Sequence, residues 1–274
     1  MAASLGAIHA ATAAKATTEL RSNEDKSRIL NAHHETRSLI IAANLEPPVA
    51  SHVMTGPATR IAVLISGEGS NLQALIDAAQ AERLGADIVA VVSNRSAARG
   101  LERARAAGIA ALHLAAVRGQ ERSEYDAALA ALLAPLDPQL LVLAGFMRIL
   151  GPRFIKQFAG RMLNIHPSLL PKYPGLDTHR RVLEAQDEWH GATVHFVTEE
   201  LDAGPAILQY RLRVRPGDTP ESLARRVHVG EHIILPHADS WFAAGRLRLV
   251  EGSVMLDGRA LLAPVSIDEE GDST

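Results

Sequence analysis

Short apolar runs alternate with helix-forming segments between about residues 60 and 240, and this alternation constrains the fold more than any other feature of the sequence. The first run, Ile61–Ile65, contains no polar residue, which is typical of a strand buried on both faces of a parallel sheet. A strand, a helix and another strand form the repeating unit of such sheets. The sequence therefore predicts an α/β domain with a doubly wound, mostly parallel sheet.

The individual elements follow from apolar runs and the turn residues that bound them. Strands are predicted at 61–65, 88–92, 109–114, 140–144, 161–165, 193–197 and 207–214. Helices are predicted at 71–82, 97–107, 121–133, 152–158 and 220–235. Thr219 is a good N-cap for the last helix, and Pro220 suits its first turn. The weak alternation over 247–261 around Asp257-Gly258 predicts a C-terminal β-hairpin.

The first 58 residues differ in composition from the rest of the chain. They are rich in Ala, Ser, Thr, Asn and charged residues, and two prolines interrupt them at positions 47 and 48. We therefore expect a disordered or loosely helical extension over 1–58. Two alternatives stay open, a cleavable transit peptide or a natural start at Met54. One catalytic domain is expected over 59–262, followed by an acidic tail over 263–274.

Charge and cysteine content exclude several classes of protein. The chain has 28 Lys plus Arg against 31 Asp plus Glu, a net charge of −3, whereas proteins that bind nucleic acid through phosphate contacts usually have a basic excess. Zero cysteines exclude disulfides, a thiol nucleophile and a Cys-ligated metal. No apolar run reaches the roughly 18 residues that span a bilayer. We expect a soluble, cytoplasmic globular protein that binds neither nucleic acid nor membranes.

A glycine-rich loop lies between the first predicted strand and the first helix. Gly67 and Gly69 permit positive φ and a close backbone approach, and the free N–H groups of the helix N-terminus can bind an anion. A dinucleotide site would need a third glycine where Leu72 stands and an acidic residue within 93–95, which reads Ser-Asn-Arg. The loop therefore predicts a site for a single phosphate rather than for NAD, with a plain tight turn as the alternative.

Asn164 and His166 lie two positions apart at the end of a predicted strand, so their side chains share one face. This pair suits acyl transfer, because an amide can stabilise an oxyanion while an imidazole moves protons. Asp202 follows the next strand, at what we expect to be the same sheet edge, and a carboxylate beside an imidazole favours its cation. Alternatively, the histidine is structural and Asp202 belongs to a turn. His195, on the sixth strand, is also expected to approach the site.

The segment from His228 to His232 matches the H-x-x-E-H pattern of a zinc peptidase family. The two histidines would share one face of a helix. However, Gly230 weakens that helix, and the residues after the motif supply few candidates for a third ligand. We therefore expect no metal site.

Several long motifs resemble, in the same order, those of the phosphoribosylglycinamide formyltransferase family, and they cover the chain from Arg60 to about Gly258. They lie at 65–73, 93–95, 100–104, 143–150, 163–175, 191–197 and 200–205. The resemblance implies a Rossmann-like formyltransferase fold and a folate-dependent step of de novo purine (IMP) biosynthesis. In that step the amine of 5-phosphoribosylglycinamide attacks the formyl carbon of 10-formyltetrahydrofolate, a co-substrate, with no metal and no tightly bound cofactor.

The resemblance also implies which residues bind the two substrates. Ribotide binding is implied for Gly69, Ser70, Asn71, Leu72 and Gln73 in the glycine loop and for His228, Val229, Gly230 and Glu231 in the late helix. Folate binding is implied for Arg122, Met147, Arg148, Ile149, Leu150, Asn164, Thr198, Glu199, Glu200, Leu201 and Asp202. The implied catalytic residues are Asn164 for the oxyanion, His166 as general acid and base, and Asp202 as the carboxylate that tunes it.

Two residues depart from the family pattern. Glu68 puts a negative charge into the phosphate loop, so we expect its side chain to point to solvent. Asp177 stands where many relatives carry histidine, which puts the contacts of its loop in doubt.

Other functions of the same fold are separated by sequence. A formyltetrahydrofolate hydrolase would carry a ligand-sensing domain in front and a second histidine where Pro167 stands. A methionyl-tRNA formyltransferase would need a basic C-terminal RNA-binding domain, but this chain ends in an acidic segment. A non-catalytic module that binds the ribotide is the remaining alternative. Monomer and homodimer both stay open.

Overall fold

An eight-stranded sheet carries the fold of residues 58–269, the part of the chain that the computed structural model describes. The strands, including those of a second and smaller sheet, are β1 (Thr59–Ile65), β2 (Ala86–Ser93), β3 (Ala110–His113), β4 (Leu140–Leu143), β5 (Met162–His166), β6 (Trp189–Phe196), β7 (Ala206–Arg213), β8 (Leu247–Val250), β9 (Ser253–Leu256), β10 (Arg259–Ala260) and β11 (Val265–Asp268). The extension predicted over 1–58 lies, except for Ala58, outside the described residues, as do residues 270–274 of the predicted tail.

The strand order of the main sheet is β11-β7-β6-β5-β4-β1-β2-β3. The strands from β1 to β5 pair in parallel, β6 runs antiparallel to both of its neighbours, and β11 pairs in parallel with β7. The predicted mostly parallel sheet is therefore confirmed.

Helices cover both faces of this sheet. They are α1 (Ser70–Gln80), α2 (Arg99–Ala106), α3 (Arg122–Leu133), α4 (Pro152–Gln157), α5 (Thr178–Glu184) and α6 (Pro220–Ala243). Along β1, Ile61, Val63 and Ile65 pack into the apolar cluster that includes α1, α2 and α6. Ala62 and Leu64 pack into the opposite cluster, with α3 and α4. A continuous apolar strand buried on both faces is thus confirmed, and with it the doubly wound fold.

The last long helix extends past its predicted end at residue 235 and contains Pro236 in its interior. A proline there removes one backbone hydrogen bond and costs about 3 kcal/mol. The turns that follow are buried, with Ala238 and Trp241 at most 2 % exposed. Burial of large apolar side chains contributes roughly 1.5–3 kcal/mol each, so packing offsets the proline. The short helix α5 was not predicted.

The C-terminal segment forms two tight hairpins and then returns to the main sheet. The predicted hairpin around Asp257-Gly258 joins β9 to β10, and a second one at Glu251-Gly252 joins β8 to β9. Both residues of each turn have positive φ, the conformation that favours glycine at the second position. Within the predicted acidic tail, β11 pairs with β7 and covers an edge that would otherwise be open.

The direction of β6 changes how the loops reach the site. Leu163, near the start of β5, pairs with Phe196, the last residue of β6. The loop that carries Asp202 therefore begins beside the start of β5, whereas His166 lies at the end of β5. The expectation that Asp202 and His166 follow their strands at the same edge is wrong, because β6 is antiparallel and its loop returns along the sheet to reach His166.

Candidate active site

Three neighbouring strands place polar side chains on one face of the sheet. Asn164 pairs across the β-ladder with His195, and His166 pairs with Thr193. Thr193 pairs in turn with Gln209 on β7. Residues directly opposite on antiparallel strands point to the same face. Strands β5, β6 and β7 therefore bring five polar residues together inside the fold.

His166 is buried between two hydrogen-bond acceptors. Its Nε2 lies 2.9 Å from the carbonyl oxygen of Tyr173, and its Nδ1 lies 3.4 Å from Oδ2 of Asp202. A backbone carbonyl can only accept, so Nε2 carries the hydrogen of the neutral ring. This leaves Nδ1, facing the carboxylate, as the ring nitrogen that can gain and lose a proton.

Asp202 lies within reach of both site histidines. Gly175 donates its backbone N–H to Oδ2 over 2.8 Å, and Oδ1 lies 3.9 Å from Nε2 of His195. The backbone of Asp202 has a φ of 53°, a left-handed conformation that aspartate tolerates better than most residues. The carboxylate is thus fixed beside His166 by a backbone donor.

Asn164 is oriented by a histidine that stays neutral. His195 donates from Nδ1 to the carbonyl of Phe196 over 2.9 Å, and its Nε2 lies 3.0 Å from Nδ2 of Asn164. Burial is the main cause that lowers the pKa of His195, so its Nε2 keeps a lone pair and accepts the amide hydrogen. One hydrogen of the Asn164 amide is thereby used, and the second is left for a ligand.

A small cavity of about 100 Å³ adjoins these residues. It is lined by Asn164, His195, Arg148, Ile149, Leu150 and the loop from Thr198 to Asp202, among others. The guanidinium of Arg148 lies 4.0 Å from the centre of the Tyr125 ring. Met147, Ile149 and Leu201 are all more than half exposed. The structure thus places the implied folate residues, except Arg122 and Met147, along one pocket, with Ile149 and Leu201 exposed on its lining.

Arg122 lies apart from that pocket. It is the first residue of α3 and lines a second cavity of about 750 Å³ between α3 and α4. Gly151 lines this second cavity, while the preceding Leu150 lines the smaller one. The backbone at 150–151 therefore separates the two spaces.

The glycine loop presents a free helix N-terminus, as predicted from its sequence. Gly69 has a φ of 74° and precedes α1, and no side chain caps the helix. A Cβ on Gly69 would lie 2.7 Å from the Cα of Gly100, so the loop needs glycine for close packing as well as for its conformation. Leu72 is fully buried, so only its backbone could contact an anion.

The implied ribotide residues of α6 meet this loop. Asn71 donates from Nδ2 to Oε2 of the buried Glu231 over 2.9 Å, and Nε2 of His228 lies 3.9 Å from the same oxygen. Burial raises the pKa of Glu231, while the hydrogen bond from Asn71 opposes that shift. Val229 is 57 % exposed, and a Cβ on Gly230 would lie 2.0 Å from the Tyr210 ring. In the region 58–269, no cluster of three or more His, Asp or Glu residues could hold a metal ion.

Two arginines compensate the unusual charge in the loop. Oε1 of the half-exposed Glu68 lies 3.0 Å from Nη1 of Arg99 and 3.1 Å from Nη2 of Arg103. Arg103 also donates to the Glu68 carbonyl and to Oε1 of Gln73. The Glu68 side chain therefore reaches solvent, as expected, but forms ion pairs there. The other departure, Asp177, pairs with Arg180 over 2.8 Å.

Sequence reasoning missed the groups that orient His166 and Asp202, the predicted catalytic residues. The Tyr173 carbonyl and the Gly175 N–H are backbone atoms, for which no residue type gives a signal. Thr193 and Gln209 had a signal, since each is a polar residue between two buried neighbours, Ala192 and Val194 for Thr193 and Leu208 and Tyr210 for Gln209.

Comparison with known proteins gives consistent matches over this part of the chain. The model of the family described as formyl transferase matches residues 59–238. The chain is 54 % identical over 201 residues to a phosphoribosylglycinamide formyltransferase of Escherichia coli, covering 73 % of this chain and 95 % of that protein. A structure of the phosphoribosylglycinamide formyltransferase of Coxiella burnetii is 50 % identical, with a TM-score of 0.73 over 77 % of this chain and all of that one. A formyltetrahydrofolate deformylase of Pseudomonas syringae is more distant, at 27 % identity and a TM-score of 0.68, covering 73 % of this chain and 66 % of that one.

Proposed function

Because the chain belongs to the formyl transferase family, we propose that it is a phosphoribosylglycinamide formyltransferase of de novo purine biosynthesis. It transfers the formyl group of 10-formyltetrahydrofolate to the glycinamide amine of 5-phosphoribosylglycinamide. The observation that carries this proposal is the placement of His166, Asn164 and Asp202 beside a small pocket, at the sheet that also carries the glycine loop.

The ribotide phosphate binds at the N-terminus of α1. Its ligands are backbone N–H groups of Gly69 to Leu72, where the helix dipole and the free donors favour an anion. The backbone N–H of Gln73 already donates to the Gly69 carbonyl, so Gln73 takes part through its side chain. Glu231, oriented by Asn71, is positioned to accept hydrogen bonds from the sugar or the glycinamide. His228, Val229 and Gly230 line the same approach on α6, with His228 half-exposed beside the carboxylate.

The folate uses the small pocket and continues beyond it. A volume of about 100 Å³ is too small for a whole folate, so only the pterin head enters between Leu150 and the loop 198–202. The remainder leaves past Gly151 toward Arg122, whose guanidinium suits a glutamyl carboxylate. An Arg122→Ala variant is expected to raise KM for the folate severalfold and leave KM for the ribotide unchanged. Equal KM values for the folate would remove Arg122 from the site.

The reaction is an addition to the formyl carbon followed by elimination. The amine nitrogen forms a bond to the carbon, and the carbonyl oxygen becomes an oxyanion that accepts the second amide hydrogen of Asn164. The amine loses a proton, N10 of the folate gains one, and the bond between the carbon and N10 breaks. His166 moves these protons through Nδ1, while Asp202 stabilises the imidazolium.

The usual free-energy contributions of such groups to the transition state are large enough for this mechanism. One preorganised oxyanion donor contributes about 2.7–4 kcal/mol to the transition state. Holding amine and formyl carbon together contributes up to about 7–11 kcal/mol in well-oriented systems. The transfer starts from an activated formyl group, so we propose that no metal takes part.

An absorbance assay for formyl transfer tests the proposal. Loss of the formyl group that depends on ribotide, and that His166→Ala abolishes, is the expected result. Equal loss with and without ribotide would instead identify a hydrolase. Binding of ribotide with no loss in either reaction would identify a non-catalytic module.

The cellular setting is part of the same proposal. We place the enzyme in the cytoplasm, acting on small molecules rather than on nucleic acid or membranes, as a monomer or homodimer. The near-neutral net charge of −3 supports the exclusion of nucleic acid. Between residues 58 and 269, no helix is long and apolar enough to cross a bilayer.

A further inference from the structure

The loop over residues 167–177 contacts both members of the catalytic pair through its backbone. The carbonyl of Tyr173 accepts from Nε2 of His166, and the N–H of Gly175 donates to Oδ2 of Asp202. The ring orientation of His166 therefore depends on where this loop holds one carbonyl oxygen. A displacement of that oxygen would release Nε2 and change which nitrogen faces Asp202.

Buried hydroxyl groups fix the first half of the loop. Thr193 donates from Oγ1 to the Ser168 carbonyl over 2.6 Å and accepts from the Leu170 N–H over 3.1 Å. Ser168 donates from Oγ to the Lys172 carbonyl over 2.6 Å, next to Tyr173. Both side chains are fully buried, so no water competes for these bonds.

Gln209 completes this network from the next strand. Its Nε2 donates to the Leu170 carbonyl over 2.9 Å and to Oγ1 of Thr193 over 3.0 Å. Both hydrogens of the amide are then used, and Thr193 has one donated and two accepted hydrogen bonds, the full capacity of a hydroxyl. Gln209 is 8 % exposed and does not line the small pocket.

We propose that Gln209 is a positioning residue for the catalytic histidine. It acts through Thr193 and the loop on the Tyr173 carbonyl, and thereby holds His166 with Nε2–H bonded to that carbonyl and Nδ1 facing Asp202. The inference rests on the proposed function, because it concerns the proton transfers of that reaction. The Gln209 side chain itself does not line the small pocket.

Replacement by methionine tests the role of the amide. Gln209→Met keeps the length of the side chain and removes both donors. We expect kcat to fall about tenfold with both KM values within about twofold, since small displacements of catalytic groups affect the transition state more than binding. Gln80→Met, on the exposed end of α1, is the matched control and keeps wild-type kcat.

A spectroscopic measurement separates positioning from a purely structural role. Nitrogen NMR of the His166 ring in the substrate-free protein should show the Nε2–H tautomer in the wild type and a mixture in Gln209→Met. The pH profile of kcat should shift in the same variant. An unchanged tautomer and pH profile, with activity lost only in proportion to unfolded protein, would overturn the proposal.

Two further variants keep the test decisive. If Gln209→Met does not fold, Gln209→Asn keeps a hydrogen-bonding amide but withdraws it by one carbon, and a smaller change of the same kind is expected.

A double variant tests whether Gln209 acts through Thr193. Thr193→Val combined with Gln209→Met should lower kcat little more than either substitution alone, because both act on one network. Additive losses would contradict action through Thr193. The tautomer is measured without substrates. An unchanged tautomer in Gln209→Met would therefore overturn the positioning role while ribotide-dependent transfer stands. Conversely, a lack of transfer would overturn the proposed function while the tautomer result stands.

Discussion

Two carboxyl groups lie in the interior on the same helix, α6, and their surroundings differ. Glu231 is 4 % exposed, accepts a hydrogen bond from Asn71 and lies near His228. Asp239, about two turns further along, is fully buried, and neither of its oxygens has a hydrogen-bond partner among residues 58–269. Burial raises the pKa of both groups, and for Asp239 it raises the pKa well above the ordinary value with no opposing interaction.

The difference separates a buried carboxyl group that we propose binds the ribotide from one for which we expect only a cost in stability. A buried polar group is tolerated when hydrogen bonds replace its water, and Asn71 provides one for Glu231. Nothing described does so for Asp239, so burial disfavours its charged form with no compensating bond. We expect Glu231 to affect ribotide binding and Asp239 to affect the free energy of unfolding.

The largest expected effect comes from the same substitution at both positions. Glu231→Leu should lower kcat/KM for the ribotide about 100-fold, because the site then loses a buried hydrogen-bond acceptor and leaves Asn71 unpaired. Asp239→Leu should leave kcat/KM within about twofold. Steady-state kinetics with varied ribotide at saturating folate measures both. Equal losses at the two positions would show that α6 affects activity through stability alone.

A second effect concerns stability. Asp239→Leu should raise the free energy of unfolding at pH 7 by about 2 kcal/mol, because it replaces a carboxyl group without partners by an apolar side chain of the same branching. For a domain of this size that corresponds to a rise in Tm of about 4–8 °C. Denaturant unfolding provides the measurement, with Asp239→Asn as a control that keeps a polar group and gains less. A loss of stability in Asp239→Leu would mean that the carboxyl group has a stabilising partner.

The gain in stability should depend on pH with a definite sign. A carboxyl group whose folded pKa is raised binds more protons in the folded state, so its contribution is present below the unfolded pKa near 3.8 and is lost as pH rises toward the folded pKa. One such group changes the free energy of unfolding by at most about 1.4 kcal/mol per pH unit. The advantage of Asp239→Leu over the wild type should therefore be small at pH 4 and grow toward pH 7. An advantage that is independent of pH would contradict a buried, titrating Asp239.

The elements that depend on local pattern were predictable, and so was part of the site. The apolar runs placed the central strands, and the spacing of Asn164 and His166 placed both side chains on one face. The loop at Gly69 was predicted because a free helix N-terminus follows from the sequence itself. These features depend on residues that are neighbours in the chain.

Features that depend on tertiary packing were not predictable. The antiparallel direction of β6 places the start of the Asp202 loop at the unexpected sheet edge. Pro236 stays helical because the turns beyond it are buried, and β11 forms because β7 offers an open edge. Arg122 lies in a separate cavity, although the resemblance grouped it with the folate residues. In each case the deciding contact is distant in sequence.

The smallest expected effect comes from removing the hydrogen bond that Glu231 has and Asp239 lacks. Asn71→Leu removes the amide that donates to Glu231, so it should lower the free energy of unfolding by about 1 kcal/mol at pH 7, the usual value of such a hydrogen bond. In a Glu231→Leu background the same substitution should cost nothing, because no carboxylate remains to be satisfied. A double-mutant cycle of unfolding free energies measures this coupling. Additive effects in the cycle would mean that Asn71 does not stabilise the buried carboxylate, and the contrast between the two carboxyl groups would then reduce to exposure alone.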